Sequence, residues 1–293
     1  MFQSIRGVLN RFGFDIRRTW FSHLWINQAG EISSASGSDG AEKSKPSKYS
    51  SVLVYLNLGS GGEALLNNSI QSAREAGYDG EIWVFGNLSS EETKQQLAVA
   101  GMTTFRPLSD WPAGAQSTRF ADERFVEITL RKWEVIRESI LSTGKTVIFS
   151  DNDVVWLQDP DPYIKQASAY FGVGIQSESR DFFPPAYCLG LMYFTPGSVG
   201  FLDFLISKSK LNSGRGTAQQ LFNEIIQANP QLVYTIWPLP EAVFPVGLSY
   251  PLLGGAQHEE AVHSVDIIAF HVNWFPSSDA KRRALQSLGL WRV

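Results

Sequence analysis

Residues 146–156 read TVIFSDNDVVW, a short buried strand that runs directly into Ser150-Asp151-Asn152-Asp153. In open α/β sheets ligands bind at the carboxyl ends of strands, and that is where these two carboxylates fall. Asp151 and Asp153 are one residue apart, so they leave the strand toward similar sides and could hold a single hard cation between them. Mg²⁺ and Mn²⁺ accept carboxylate and phosphate oxygens together, which would let one ion bridge such a pair to a diphosphate. An isolated D-x-D often marks only an exposed turn. Its place immediately after TVIF is what favours the metal-site reading.

Upstream of this stretch, apolar runs alternate with helical patterns. SVLVYL (51–56) and EIWVF (81–85) are strands, separated by a helical stretch to about residue 76. Ser89 to Glu92 forms a capping box for a helix ending near Gly101, and residues 103–106 form a short strand. Between residues 121 and 142, Val126, Leu130, Trp133, Ile136 and Ile140 recur at helical spacing, and Gly144 supplies a C-terminal stop. Continuous apolar strands separated by helices predict an α/β fold, a mixed and mostly parallel sheet with helices on both faces. Past Pro162 the order becomes mixed. Strands are expected over 170–175, 189–194, 232–237 and 266–270, and helices over 198–209, 218–228 and 280–288. Asp159-Pro160 and Asp161-Pro162 read as a rigid turn. Trp156 could stack on a base or sugar, but the continuous VVW run assigns it to the core.

The 293 residues are 43% hydrophobic, enough for one substantial core. A formal net charge of −4 excludes a general nucleic-acid footprint. With Cys188 as the single cysteine no internal disulfide can form, which points to a reducing, cytoplasmic setting. Residues 33–50, SSASGSDGAEKSKPSKYS, cannot bury enough apolar surface to offset their ordering entropy. The chain therefore divides into an N-terminal segment (1–32), a flexible linker (33–50) and a catalytic-sized domain (51–293). No stretch is apolar enough for a membrane span, and Arg6, Arg11, Arg17 and Arg18 interrupt any signal-peptide core. Residues 1–20 have a basic amphipathic pattern. That pattern suits a helix packed on its own domain or a partner, or peripheral contact with the inner membrane face.

Several motifs carry a resemblance to a known family. VIFSDNDVVWLQDPDPYI (147–164), CLGLMYFTP (188–196), AQQLFNEII (218–226) and HVNWFPSSDAKRRALQSLGLW (271–291) occur in the order seen in the nucleotide-diphospho-sugar transferases, glycosyltransferase family 77. The resemblance covers most of residues 51–293. It implies a GT-A fold, Rossmann-like, and a transferase that moves a sugar from a nucleotide diphosphate donor to a glycan, lipid-linked or protein acceptor with retention of configuration. It implies Asp151 and Asp153 as ligands of Mn²⁺ or Mg²⁺, with Asp153 the more direct, and His271 completing the metal site or contacting the diphosphate. Lys281 matches a family lysine that could contact the diphosphate, although beside Arg282 and Arg283 it also reads as a solvated helix lysine. Lys132 lies where family members carry a lysine, yet by pattern it sits on the surface of an amphipathic helix. Asn57 and Gly59, in YLNLGSGG, occupy the usual place for nucleoside contacts. His23, His258 and His263 have no such context and read as structural.

The chemistry also needs a second carboxylate near the reacting sugar, and Asp181 is the candidate. Gln219 could hydrogen-bond the donor sugar or the reacting face. The sequence departs from the family pattern twice. Ala218 stands where an Asp is usual, and Cys188 stands where an Asn is usual. Ala218 keeps a second class of function open, a non-catalytic sugar-nucleotide or glycan-binding module on the same fold. A nucleotidyltransferase is disfavoured because no Gly-rich, Lys/Arg-bearing loop follows the first strand. A D-x-D phosphatase is disfavoured because its aspartate pair continues into a small residue and threonine.

Overall fold

A computed structural model describes residues 49–57, 60–86, 88, 94–95, 97, 103–108, 127, 129–179, 185–211, 216–247 and 267–293. The N-terminal segment, most of the linker and most of the 89–101 helix lie outside the described residues, as does the start of the 121–142 helix. The strands are β1 (Ser51–Asn57), β2 (Ile82–Gly86), β3 (Thr103–Arg106), β4 (Thr146–Ser150), β5 (Val154–Trp156), β6 (Val173–Ser179), β7 (Ala186–Phe194), β8 (Ile236–Leu239) and β9 (Ala269–His271). The helices are α1 (Glu63–Glu75), α2 (Lys132–Thr143), α3 (Pro160–Ser168), α4 (Val199–Leu211), α5 (Ala218–Ala228) and α6 (Ser278–Ser287).

Seven of the described strands form one sheet in the order β3-β2-β1-β4-β7-β6-β8. β3, β2, β1 and β4 run parallel, β7 is antiparallel to both β4 and β6, and β8 is parallel to β6. Every residue of β1 is buried because both faces of the sheet are covered. Val52, Val54 and Leu56 pack with Trp133 and Ile136 of α2 and with Phe222 of α5. Leu53 and Tyr55 face the other way, toward Leu66 and Ile70 of α1 and Ile164 of α3. The alternation of a strand thus feeds two cores at once.

Local signals account for the helix ends. Gly144 takes φ 66 and its N–H reaches Ile140 O, as expected of a left-handed stop. Thr217 and Gln220 cap α5 reciprocally, and the Ser277 hydroxyl accepts from Ala280 N at the start of α6.

Two expectations need correction. The Asp-Pro-Asp-Pro run is the first turn of α3, with Asp159 as its N-cap and Pro160 at the opening position. Proline is tolerated there because its missing N–H would be unpaired in any case. The strand expected over 232–237 begins only at Ile236. Pro230–Thr235 forms a 3₁₀ turn, and Pro238 is accommodated because β8 lies at the edge of the sheet. The strand that ends at His271 lies outside the main sheet. It pairs antiparallel with β5, in a separate two-stranded ribbon.

Trp156 is a core residue, 1% exposed, with its indole N–H on Tyr55 Oη at 3.1 Å and its backbone N–H on Ser72 Oγ at 3.0 Å. Trp156→Ala should therefore lower unfolding free energy by about 3–5 kcal/mol. Denaturant melts check this. A variant of wild-type stability with altered nucleotide affinity would return Trp156 to a ligand-contacting role.

Candidate metal and nucleotide site

The site forms where β1, β4 and β6 end and β7 begins, all at one edge of the sheet. β4 terminates at Ser150, and residues 151–153 turn the chain out of the sheet into β5. β5 pairs with β9 so that Val154 stands opposite His271, and Val272 N donates to Asp153 O at 3.0 Å. This pairing seats the imidazole against the turn. Asp151, Asp153 and His271 each offer one ligand atom, and these atoms lie within 4.8 Å of one another.

The surroundings are strongly charged and largely buried. Asp153 is 7% exposed, and its carboxylate meets Lys281 Nζ at 2.6 Å and His271 Nε2 at 3.2 Å. Asp151 is more open and pairs with Lys132 Nζ at 2.7 Å. Lys132 does not lie on the surface. It is 7% exposed, and its ammonium also donates to Leu189 O at 3.2 Å. Its aliphatic stem can cross the apolar layer while the charge reaches the site, a behaviour that helical periodicity does not encode.

Second contacts fix the imidazole. Nδ1 lies 2.9 Å from Gln176 Oε1 and 3.4 Å from Cys188 Sγ, and Gln176 Nε2 donates to Phe244 O at 2.9 Å. A β-carbon on Gly190 would sit 2.0 Å from the ring, so the glycine is required for its approach. At the β1 end, buried Asn57 accepts from Asn152 Nδ2 at 3.0 Å, while Asn152 Oδ1 is buried with no hydrogen-bond partner among the described residues.

A second cluster adjoins the first. Glu178, at the end of β6, accepts from Gln219 Nε2 at 3.0 Å, Asn273 Nδ2 at 3.1 Å and Trp274 Nε1 at 3.1 Å. Asn273 also donates to Cys188 Sγ at 3.5 Å, which joins the two clusters. Trp274 has φ 63, the left-handed region, which costs a non-glycine residue roughly 1–2 kcal/mol.

Residues 91–285 match the family model described as nucleotide-diphospho-sugar transferase. The chain belongs to that family. Two UDP-D-xylose:L-fucose alpha-1,3-D-xylosyltransferases of Arabidopsis thaliana are 23% and 25% identical over 242 and 243 residues, 72% of this chain. The matches span 66% and 65% of those relatives, just under two thirds of their length. Among solved structures, the galactosyltransferase LgtC with donor and acceptor sugar analogs is 11% identical with TM-score 0.52, covering 81% of this chain and 95% of that one. Mouse xyloside xylosyltransferase 1 is 12% identical with TM-score 0.50, covering 77% and 98%. The glycosyltransferase GlyE of Streptococcus pneumoniae TIGR4 is 8% identical with TM-score 0.54, covering 81% and 59%. These likenesses establish the fold as GT-A.

Within this transferase-family fold, the structure brings together most of the residues singled out by sequence. Asp151, Asp153, His271, Lys281 and Lys132 form one cluster. Asn57 lies at the neighbouring strand end, and Gln219 lies in the Glu178 cluster. Gly59 and Asp181 lie outside the described residues. Gln176 and Glu178 were missed. Their signal was a polar i, i+2 pair leaving a strand whose earlier members, Val173 and Ile175, are apolar. That is the same logic as Asp151 and Asp153, but no motif flagged it.

Burial would push the Asp153 carboxyl up, but Lys281 and then His271 outweigh it and hold it well below the usual carboxylate range. Burial would likewise lower the His271 pKa. Attraction from Cys188 and from Asp153 overcomes this and raises it to about 10. In metal-free protein the charged ring should thus stabilise the fold fully below its ordinary value of 6.5, and that contribution should fade as pH rises to about 10. The melting-temperature gap between wild type and His271→Gln, measured in chelator, is expected to be widest near pH 6 and to narrow toward pH 10. A gap independent of pH would show that the ring stabilises by packing alone.

Proposed function

We propose that this chain is a glycosyltransferase that uses Mn²⁺ or Mg²⁺ to move a glycosyl group from a nucleotide diphosphate sugar to a glycan, lipid-linked or protein acceptor, with retention of configuration. The observation that carries this is the Asp151–Asp153–His271 cluster flanked by two lysines, at the strand ends of a GT-A sheet. The donor set fits the cation: two hard carboxylates with an imidazole suit Mn²⁺ or Mg²⁺, and the phosphate oxygens of a donor would supply further ligands. Asp151, Asp153 and His271 would hold it. Its contribution when bound is to neutralise the charge that grows on the departing diphosphate.

The protein groups divide the remaining work. Lys281 and Lys132 place positive charge beside the diphosphate position, Lys281 from the open side and Lys132 from beneath Asp151. Preorganised charge of this kind, aimed at a leaving group in a water-poor site, is the largest expected contribution to rate. Asn57 and Asn152, with the unpartnered Asn152 Oδ1, are suited to hold the nucleoside end. Gln219 faces the reacting sugar. Names of the plant relatives, UDP-D-xylose donors forming alpha-1,3 linkages, make UDP-xylose the first donor to try.

The second reading, a non-catalytic sugar-nucleotide or glycan-binding module, draws on Ala218, which is 2% exposed and packed into the apolar core where the family pattern has an acid. Steady hydrolysis of a nucleotide sugar in Mn²⁺ separates the two, since a binding module would bind donor without turnover.

Without a cation, Asp151 and Asp153 repel a diphosphate. Calorimetry with UDP should show affinity in Mn²⁺ that is lost in chelator, and Asp153→Asn should weaken Mn²⁺-dependent binding by about 10-fold or more, by analogy with losses at supporting metal-site groups. Equal UDP affinity with Mn²⁺ and with chelator would overturn the metal assignment.

The basic pattern of residues 1–20 and the single cysteine support a cytoplasmic protein that touches an anionic membrane surface through that segment. Deleting residues 1–32 should abolish co-sedimentation with anionic liposomes and leave UDP affinity unchanged. Sedimentation that survives the deletion would remove the membrane role from this segment.

A further inference from the structure

Strand order sets out a row of groups along the site edge. Asn57 ends β1, Asp151 follows β4, Cys188 and Leu189 open β7, and Glu178 ends β6. Neighbouring strands are about 4.8 Å apart, so Glu178 leaves a strand two places, roughly 10 Å, from the one that carries Asp151, on the side opposite Asn57. If the nucleoside lies over β1 and the diphosphate at β4, the next groups along the row face a sugar.

What stands there is unusual. Trp274 is 63% exposed, and its ring makes no aromatic or cation contact with another described residue. Its backbone is the one non-glycine position with positive φ among the described residues, a strain that packing does not explain because the side chain is not packed. Its N–H is nevertheless tied to Glu178, so the ring is held by its edge with a face turned outward. Glu178 in turn has no cation partner among the described residues. Three neutral N–H donors, from Gln219, Asn273 and Trp274, hold it in place. An aromatic face beside a carboxylate is the chemistry that recognises a pyranose. The ring's C–H face lies on the electron-rich indole, and the carboxylate accepts from sugar hydroxyls.

We propose that Trp274 and Glu178 form a pyranose-binding subsite beside the cation cluster, with Glu178 supplying the carboxylate that Ala218 does not. The subsite rests on the transferase reading above and names the sugar-facing part of that same site. The pyranose is either the glycosyl group of the donor or the acceptor ring, and the two are distinguished by which one loses contact in the variants.

Saturation-transfer NMR in Mg²⁺ tests this with UDP-xylose, UDP-galactose and UDP-glucose, and with methyl glycosides of fucose, xylose and galactose in the presence of UDP. The variants are Glu178→Gln, which keeps shape, and Trp274→Gly, which removes the ring at a φ that glycine adopts without strain. In wild type, pyranose-ring protons of at least one probe should receive saturation. In both variants that transfer should fall at least about 5-fold, while the uridine protons keep theirs. Loss confined to nucleotide sugars assigns the donor glycosyl group, and loss confined to glycosides assigns the acceptor. Ring transfer unchanged in both variants overturns the subsite, as does a wild type that binds uridine but no pyranose ring. If UDP itself fails to bind wild type, the uridine-donor reading falls, and the glycosides without UDP then decide the subsite on their own.

Discussion

A carboxylate buried as deeply as Asp153 is tolerated only when positive charge and hydrogen bonds replace the water it has lost. Here Lys281 approaches one oxygen and His271 the other, from α6 and β9 respectively. Neither partner is near Asp153 in sequence. The C-terminal part of the chain must fold back across the end of the sheet to deliver both, and the β5–β9 ribbon is the device that does so. Val155, Phe270, Val272, Leu285 and Leu288 form a small apolar cluster beneath that ribbon, so the burial that stabilises the closing segment also sets the distance between imidazole and carboxylate.

The same dependence explains the roles of small residues around the site. Gly190 is small because the His271 ring occupies the space a side chain would need, and Gly247 is small because Asn273 lies against it. Cys188, in place of the asparagine of the family pattern, touches both His271 and Asn273. The closing motif is therefore read by β7 as well as by β5. A change at 188 or 190 acts on the imidazole without touching a ligand directly.

Charge is distributed along the sheet edge in a graded way. Amides occupy the β1 end, alternating carboxylates and lysines the centre, and the Glu178 cluster, held by neutral donors, the β6 end. A net charge of −4 supplies no long-range attraction for a diphosphate, so any such attraction would have to come from the local lysines. Both are mostly buried, where screening by salt is weak.

Residues 146–156 marked the centre of the candidate site, and the alternation of apolar strands with helical patterns around them determined the class of fold. Local periodicity specified α2, α5 and the parallel half of the sheet. The family resemblance pointed to His271 and Lys281 as candidate site residues. Tertiary structure decided the rest. Which strand accompanies His271 depends on long-range pairing, and β5 offered a free edge where β4 was already flanked by β1 and β7. Lys132 belongs to an amphipathic helix, and only the position of Asp151 and Leu189 O reveals that its ammonium points inward. Glu178 carries no motif at all. Its meaning arises from three side chains, Gln219, Asn273 and Trp274, that are brought to it from 41 to 96 residues away. Period and propensity act over a few residues, whereas charge compensation and hydrogen-bond satisfaction act across whatever the fold makes adjacent.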